Sequence, residues 1–335
     1  MAASSANTVP TESGLYLRTP LIRSDPLSKL TGRDVYLKLD CLQPSGSFKD
    51  RGMANLCQTL QSTKGTQKLI ASSGGNAGLA VATVGSKIGM LVSVVIPEST
   101  KPMVVAKLKS LNADVTIHGI NWNAADLLAR QRVDEDPQAE YVSPYDNPLL
   151  WTGHSTLVDE VIEELSSRNI GAILVSVGGG GLICGVLEGL ERHGQKSKVV
   201  ACETEGAASF GKSWLTSPPS LIRLEAINSI ATSLGALQVT EAAITRSQKH
   251  EENGGKVEAA ICTDKEAVEA CLQFSSDHRI LVEPACGAAL AALYSDRLRQ
   301  QTLEGVDGPI VAEVCGGSGV NLELLTAWKN DFGIH

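Results

Sequence analysis

The chain has 335 residues, of which 43% are apolar and 20% are charged, and its formal net charge is −8. This length suits two domains, and the composition suits a folded protein with a sizeable core. The negative charge argues against nonspecific binding to nucleic acid or anionic membranes, and no apolar run reaches the roughly 18 residues of a membrane span.

The N-terminal residues 1–10 have neither a basic nor an apolar stretch, which predicts a short disordered tail and not a secretory signal. The chain has eight cysteines. None forms a C-x-x-C pair, and most lie in apolar runs, so we expect free thiols and a cytoplasmic protein.

Strand-like and helix-like segments alternate in chain order. The predicted strands cover residues 35–39, 68–71, 91–96, 114–117, 172–177, 199–202 and 310–314. The predicted helices cover residues 50–63, 77–88, 102–111, 124–132, 154–166 and 182–193. This alternation is typical of parallel sheets with helices on both faces. Polar breaks at residues 134–138 and 145–148 indicate a crossing between two domains.

Lys49 is the first candidate for chemistry, because it follows a small Gly-containing turn and Phe48, where a helix begins. A lysine that binds pyridoxal phosphate (PLP) as a Schiff base must be partly desolvated, and a helix N-terminus disfavours its charged form. Most lysines are solvated surface charges, so Lys49 alone would be a weak candidate.

A run of four glycines, at residues 178–181, follows a predicted strand and opens a helix before Leu182. Without Cβ atoms, backbone N–H groups can close around a phosphate, and the helix dipole favours the anion. The run lacks the residues of a nucleotide P-loop and of a dinucleotide fingerprint. The alternative is a glycine turn selected for close packing.

Two more loops join strands to helices. Residues 72–78 read Ser-Ser-Gly-Gly-Asn-Ala-Gly and could bind a carboxylate, although an N-cap loop is an equal alternative. Residues 314–319 contain Cys315, and a neutral thiol or hydroxyl at a ring nitrogen would leave that nitrogen unprotonated. The alternative is a turn at the end of a strand with a buried cysteine. His118 and His154 lie near these segments, but nothing adjacent in sequence would tune their pKa.

In this order, the loops resemble the β-family (fold type II) of PLP enzymes, and within it the serine/threonine dehydratases of animal type. The resemblance runs from Thr19-Pro20-Leu21 to Cys315-Gly316-Gly317, through the segments at residues 146–154, 203–207 and 281–290. It implies two three-layer αβα domains with parallel-rich sheets, similar to the tryptophan synthase β-subunit. The larger domain would combine residues 1–42 and 147–335, the smaller would cover residues 43–146, and PLP would lie in the cleft between them. A homodimer is expected on the same ground.

The resemblance also implies roles for single residues. Lys49 would form the Schiff base and Phe48 would pack beside the PLP ring. The ring hydroxyl would meet Asn76, and the ring nitrogen would face Cys315. The other expected contacts of PLP and of the substrate carboxylate come from backbone-rich loops: the phosphate would be held by Gly178, Gly179, Gly180, Gly181 and Leu182, and the carboxylate by Ser73, Gly74, Gly75 and Asn76.

A monovalent cation, K⁺ by size, would bind near the glycine run, since its ligands in the family are oxygens. The matching positions are Gly178, Glu203, Ala207, Leu234 and Ala236. Only Glu203 has a side-chain carboxylate, so the others would contribute backbone carbonyls.

The implied reaction is elimination of water from L-serine or L-threonine. Lys49 would remove the α-proton while PLP accepts the electrons, and the product would hydrolyse to pyruvate or 2-oxobutyrate and ammonia. Racemisation is disfavoured, because Gly74 stands where racemases carry a second base. Asp50 departs from the dehydratase pattern and resembles threonine synthase, which keeps a synthase or β-replacement reaction open. A non-enzymatic sensor of the same fold is disfavoured, because all three loops and Lys49 are present.

Overall fold

The computed structural model describes residues 14–100, 102–166 and 169–335. The tail predicted at residues 1–10 lies outside them. The strands within this part are β1 Leu21–Arg23, β2 Val35–Lys38, β3 Lys68–Ala71, β4 Leu91–Ile96, β5 Asp114–Ile117, β6 Ala139–Val142, β7 Ala172–Ser176, β8 Lys198–Thr204, β9 Lys256–Cys262 and β10 Ile310–Glu313.

The helices surround these strands, and three short 3-10 turns connect them. The helices are α1 Asp25–Thr31, α2 Lys49–Lys64, α3 Asn76–Lys87, α4 Pro102–Ser110, α5 Trp122–Asp134, α6 Pro148–Glu164, α7 Gly181–Arg192, α8 Ser209–Trp214, α9 Glu241–Glu252, α10 Asp264–His278, α11 Pro284–Tyr294, α12 Asp296–Thr302 and α13 Leu322–Asp331. The 3-10 turns are Asp40–Leu42, Glu205–Ala207 and Thr232–Leu234. No helix in the described residues is long and apolar enough to cross a membrane.

The strands form two sheets. One has six strands in the order β1-β2-β10-β7-β8-β9, in which only β1 is antiparallel to its neighbour. The other has four parallel strands in the order β5-β4-β3-β6. The prediction of an α/β fold with parallel-rich sheets is confirmed. All four strands of the smaller sheet fall within residues 43–146, but the domain boundaries themselves stay a prediction.

The core lies on both faces of the larger sheet. Along β7, Ile173 and Val175 belong to one apolar cluster, and Ala172 and Leu174 belong to another. Because successive strand residues point to opposite faces, this alternation means that helices cover the sheet on both sides.

The predicted elements differ from the structure mostly at their ends. The strands expected at residues 68–71, 91–96 and 114–117 have those bounds, whereas the helix expected from residue 154 begins at Pro148. It begins there because the Asn147 side chain accepts a hydrogen bond from the Leu149 N–H at 2.9 Å, and proline suits the first helical position. Strands β1, β6 and β9 and helices α1 and α8 to α13 were not predicted.

Helices α2, α6 and α7 pack against one another through glycines. A Cβ on Gly52 in α2 would overlap the ring of His154 in α6, and a Cβ on Gly153 in α6 would overlap the backbone of α2 at Arg51. On the other side of α6, a Cβ on Gly185 in α7 would lie 2.5 Å from the Cβ of His154. The three helices therefore cross in close contact, which joins the start of α2 to the start of α7.

Candidate active site

Three predicted loops meet at the carboxyl ends of parallel strands. Residues 72–75 follow β3, residues 177–180 follow β7, and residues 314–319 follow β10. Strands β7 and β10 are neighbours in the larger sheet. From β7 the chain continues to β8, which lies on the side of β7 away from β10 and β2. Such a switch in strand order opens a crevice in which α/β proteins bind ligands.

Lys49 is the first residue of α2, and its Nζ donates a hydrogen bond to the carbonyl oxygen of Pro144 at 3.1 Å. The same amine lies 4.8 Å from the centre of the Phe48 ring. Burial lowers the pKa of Lys49 to about 8, although Cys315 and Glu283 act in the opposite direction. A large fraction of the amine is therefore neutral near pH 8.

The loop before Lys49 is fastened to the loop that carries Cys315. The Phe48 N–H donates to the carbonyl oxygen of Cys315 at 3.4 Å, and the Gly317 N–H donates to that of Gly46 at 2.8 Å. The predicted cofactor residues Phe48, Lys49 and Cys315 thus belong to one hydrogen-bonded unit.

Asp50 has a structural explanation. Its carboxylate accepts a hydrogen bond from the Ser45 N–H at 2.9 Å and so closes the loop before the helix. The other carboxylate oxygen is buried without a partner, and burial raises the pKa of Asp50 to about 6. The residue that resembled threonine synthase therefore stabilises the turn that presents Lys49.

The glycine run lies on Tyr145, a residue that the sequence analysis missed. A Cβ on Gly179 would overlap the Tyr145 ring, and a Cβ on Gly181 would lie 2.8 Å from the Tyr145 carbonyl oxygen. Gly180 has φ = +95°, which favours glycine, and the Thr240 N–H donates to the carbonyl oxygen of Gly179 at 3.0 Å. Neither the space nor the backbone conformation admits side chains in this turn at the start of α7.

The loop of Ser73, Gly74 and Gly75 precedes the first residue of α3, Asn76. The Ser73 Oγ accepts a hydrogen bond from the Gly75 N–H at 3.3 Å. A Cβ on Gly74 would lie 3.0 Å from Thr100 Cγ2, so a larger residue would require that side chain to move. Ser73 and Gly74 are half-buried and Gly75 is exposed, so the loop is partly open to solvent.

Asn76 joins this loop to the opposite side of the crevice. Its Nδ2 donates to Glu283 Oε1 at 2.9 Å, and its Oδ1 accepts from the Ser318 N–H at 2.9 Å. Ser318 follows Cys315 in the third loop, and Glu283 is the residue just before α11. Glu283 and Ser318 were not predicted, because their contacts with Asn76 span 207 and 242 residues of sequence.

Cys315 is buried, and its Sγ lies 3.9 Å from the Ser176 Oγ at the end of β7. Its contact with the Cys286 thiol and its burial raise the pKa of Cys315 well above the usual range. The thiol is therefore neutral, as the role predicted for it requires. All eight cysteines are free, as the sequence analysis predicted.

The predicted cation ligands are only partly brought together. A Cβ on Gly178 would lie 3.0 Å from the Leu234 Cα, and the Ala236 N–H donates to the Leu234 carbonyl oxygen at 2.7 Å. The carboxylate of Glu203 accepts instead from the N–H groups of two residues in α8, at 2.8 and 2.6 Å. Ala207 is buried in the turn that follows β8. No cluster of three or more His, Cys, Asp or Glu side chains that could hold a metal occurs among the described residues.

His154 lies close to Lys49, although the sequence analysis saw nothing near it. Its ring packs edge-on against Phe48 with the ring centres 4.9 Å apart. Burial lowers the pKa of His154, so the ring is neutral, and its Nδ1 has no hydrogen-bond partner. His118 is exposed after β5 and takes no part in the crevice.

The chain matches known proteins along nearly its whole length. The family model described as pyridoxal-phosphate dependent enzyme matches residues 12–316. A human protein named serine dehydratase-like is 42% identical over 323 residues, which cover 95% of each chain. The human L-serine dehydratase/L-threonine deaminase is 40% identical over 325 residues, 96% of each chain.

The crystal structure of a fungal L-serine ammonia-lyase from Rhizomucor miehei superposes with a TM-score of 0.87 at 32% identity. The match covers 95% of this chain and 99% of that one. The family expected from the loops is thereby confirmed. The chain belongs to the family of pyridoxal-phosphate-dependent enzymes.

Proposed function

We propose that the protein is a PLP-dependent ammonia-lyase that eliminates water from L-serine and L-threonine to give pyruvate or 2-oxobutyrate and ammonia. The names of the two human relatives and of the fungal structure support this reaction. The observation that carries it is the Lys49 amine, whose pKa burial lowers to about 8. This amine donates to the carbonyl oxygen of Pro144, the neighbour of the Tyr145 on which the glycine turn packs.

The residues of the crevice fit PLP. Gly178 to Gly181 lie at the N-terminus of α7 and carry no side chains of their own, so their N–H groups suit a phosphate. Lys49 supplies an amine that is neutral enough to react. When bound, PLP supplies an electron sink for the bond broken at the amino acid's α-carbon. The chain would hold the cofactor through Phe48, Lys49, Asn76, Gly178, Gly179, Gly180, Gly181, Leu182 and Cys315.

Lys49 moves the proton in this proposal. At neutral pH its amine can accept the α-proton of the substrate, because burial has already removed most of the preference for the ammonium form. The glycine-rich backbone at Ser73, Gly74, Gly75 and Asn76 binds the substrate carboxylate, since N–H groups at the start of α3 favour an anion. The carboxylate contact fixes which side of the α-carbon faces Lys49.

Elimination is favoured over racemisation by the same loop. Gly74 has no side chain to protonate the opposite face, and Thr100 leaves little space for one there. The likeness of Asp50 to threonine synthase was the argument for a synthase reaction. Asp50 has a structural role instead, because its carboxylate accepts from the Ser45 N–H and closes the loop.

We propose a K⁺ site at Glu203. Burial raises the pKa of this glutamate to about 8, even though two backbone N–H groups donate to it. A cation beside the carboxylate would restore its charged form. We propose that carbonyl oxygens of Gly178, Ala207, Leu234 and Ala236 complete the coordination. We further propose a cytoplasmic homodimer with two domains, residues 1–42 with 147–335 and residues 43–146, and with PLP between them.

One assay tests the proposed function. Purified protein is incubated with PLP, with K⁺ or Na⁺ as the salt, and with a panel of amino acids, while keto acid and ammonia are measured. We expect keto acid from L-serine and L-threonine, a higher rate in K⁺ than in Na⁺, and no rate with Lys49→Ala. Turnover of O-phosphohomoserine or of an added thiol without keto acid would contradict the proposal, and fast D-serine formation would contradict the reading of Gly74.

A further inference from the structure

The side-chain amide of Asn76, which follows a strand of the smaller sheet, is held by residues from segments around the larger sheet. Its Oδ1 accepts from both the N–H and the Oγ of Ser318, at 2.9 and 3.0 Å. Its Nδ2 donates to Glu283 Oε1 at 2.9 Å and to the Ser233 Oγ at the longer distance of 3.3 Å. The amide therefore has one strong partner for one of its two N–H groups and a weaker partner for the other.

Two of these partners have a fixed polarity. A backbone N–H can only donate, so Ser318 requires the oxygen of Asn76 to face it. An ionised carboxylate can only accept, so Glu283 requires the nitrogen to face it. The two ends of an asparagine amide have nearly the same shape, and such partners alone decide which end donates.

Glu283 is itself locked in place. Its Oε2 accepts a hydrogen bond from the Gly319 N–H at 3.2 Å. Gly317 has φ = +111°, and a Cβ there would overlap the carboxyl group of Glu283. The carboxyl thus lies across the loop that follows Cys315, at a place that only glycine leaves open. Burial raises the pKa of Glu283, and the hydrogen bonds from Ser233, Gly319 and Asn76 counteract that rise.

We propose that Glu283 is a positioning residue that, together with the Ser318 N–H, orients the Asn76 amide so that it meets bound PLP as a hydrogen-bond donor. The ring oxygen of PLP is an acceptor when it is ionised, so the opposite orientation would place two acceptors together. The N–H of Asn76 that is not bonded to Glu283 would then meet the cofactor in place of Ser233. This inference rests on the proposed function and on the contact proposed there between Asn76 and PLP.

The first variant is Glu283→Gln. A glutamine has one acceptor, so it cannot accept from both Asn76 and Gly319, and the Asn76 amide loses its fixed orientation. We expect the affinity for PLP, measured by equilibrium dialysis, to fall about 5- to 100-fold, the range for an unsatisfied buried partner. We also expect the pH midpoint of the visible band of bound PLP to rise, because a lost donor destabilises the ionised ring oxygen. Glu313→Gln is the control, a buried glutamate without hydrogen-bond partners in β10.

The second variant combines Asn76→Asp with Glu283→Gln. It exchanges donor and acceptor between the two side chains and still leaves an acceptor for the N–H groups of Ser318 and Gly319. The introduced glutamine would donate to the introduced aspartate and accept from Gly319, while that aspartate would accept from Ser318. This protein should melt within a few degrees of the wild type and yet bind PLP at least about tenfold more weakly, because a carboxylate would face the ring oxygen. It also keeps the test valid if the single Glu283→Gln variant does not fold.

The outcomes separate this inference from the proposed function. If the wild type binds PLP and consumes serine, but the reversed pair binds PLP as tightly as the wild type, Glu283 does not act through Asn76. The same conclusion follows if Glu283→Gln weakens PLP binding as much in an Asn76→Ala background as alone. If the wild type does not bind PLP, the proposed function fails first.

Discussion

Lys49 and Arg51 are basic residues two positions apart in the first turn of α2, and Lys49 is half-buried. Arg51 is fully buried, and its guanidinium makes paired hydrogen bonds to the carboxylates of Asp40 and Glu160, between 2.6 and 2.8 Å. Lys49 donates only to a carbonyl oxygen.

The hydrogen-bond partners of Lys49 and Arg51 decide whether each side chain stays protonated. The two carboxylates raise the pKa of Arg51, whereas burial without a paired carboxylate lowers the pKa of Lys49 to about 8. The same helix therefore holds one permanent cation, which ties the helix to Asp40 and to Glu160 in α6, and one amine that can give up its proton. The following predictions, from the largest effect to the smallest, test this division of roles.

Replacing Lys49 should remove activity and leave the fold. We expect Lys49→Ala to lower the rate of keto acid formation by at least about 10³-fold, because no other described side chain supplies the base. The melting temperature should not fall, since a poorly paired amine is lost. A collapse of stability without a change in rate per folded molecule would reverse the roles assigned to Lys49 and Arg51.

Replacing Arg51 should lower the stability of the fold, which replacing Lys49 should not. Arg51→Met leaves the buried carboxylate of Asp40 without its paired guanidinium, while Glu160 keeps the ammonium of Lys38 at 2.6 Å. Breaking a buried ion pair in this way costs about 3–5 kcal/mol of unfolding free energy. Urea denaturation measures this loss, and adding Asp40→Asn and Glu160→Gln should recover part of it. An unchanged midpoint in the single variant would mean that the paired network does not stabilise the fold.

The pH dependence of PLP capture should report the Lys49 pKa. Only the neutral amine reacts, so the rate at which apo-protein acquires PLP absorbance should fall about tenfold per pH unit below 8 and level off above it. Stopped-flow absorbance between about pH 6 and 9.5 measures this profile. A midpoint above about 10 would mean that burial does not perturb the amine.

Replacing Asp50, which lies between Lys49 and Arg51, should have the smallest effect on activity and stability. Its pKa of about 6 lies above the ordinary 3.8, so its stabilising contribution is complete below about pH 3.8 and is lost as the pH rises through 6. Asp50→Asn should therefore gain stability relative to the wild type above pH 6, with turnover within about threefold, since an amide oxygen can still accept from Ser45. A loss of serine turnover near that of Lys49→Ala would make Asp50 a catalytic group.

The sequence predicted what depends on local order. Strand, glycine turn and helix follow one another at Gly178 to Leu182, and Lys49 follows its own small turn, so both could be recognised without a structure. Parallel strands then bring such turns to one edge of a sheet.

Contacts between distant segments could not be predicted. In the sequence, Glu283 is only the residue before a proline, and Tyr145 is only part of a polar break. The folded chain brings Glu283 into contact with Asn76 and Tyr145 into contact with Gly179. Their roles depend on tertiary packing and not on local pattern. The charge state of Lys49 has the same origin, because burial and the absence of a paired carboxylate are properties of the folded chain.

The glycine contacts among α2, α6 and α7 have a mechanical consequence. Lys49 belongs in sequence to the segment of the smaller sheet, but Gly52, Gly153 and Gly185 hold the first turn of its helix at backbone distance from α6 and, through α6, from α7. A rotation of the four-stranded sheet would therefore pivot about this turn. It would change the distance of the Ser73 loop from Lys49 and would break the hydrogen bonds of Asn76 to Glu283 and Ser318, while Lys49 and the glycine turn of α7 stay at a constant separation.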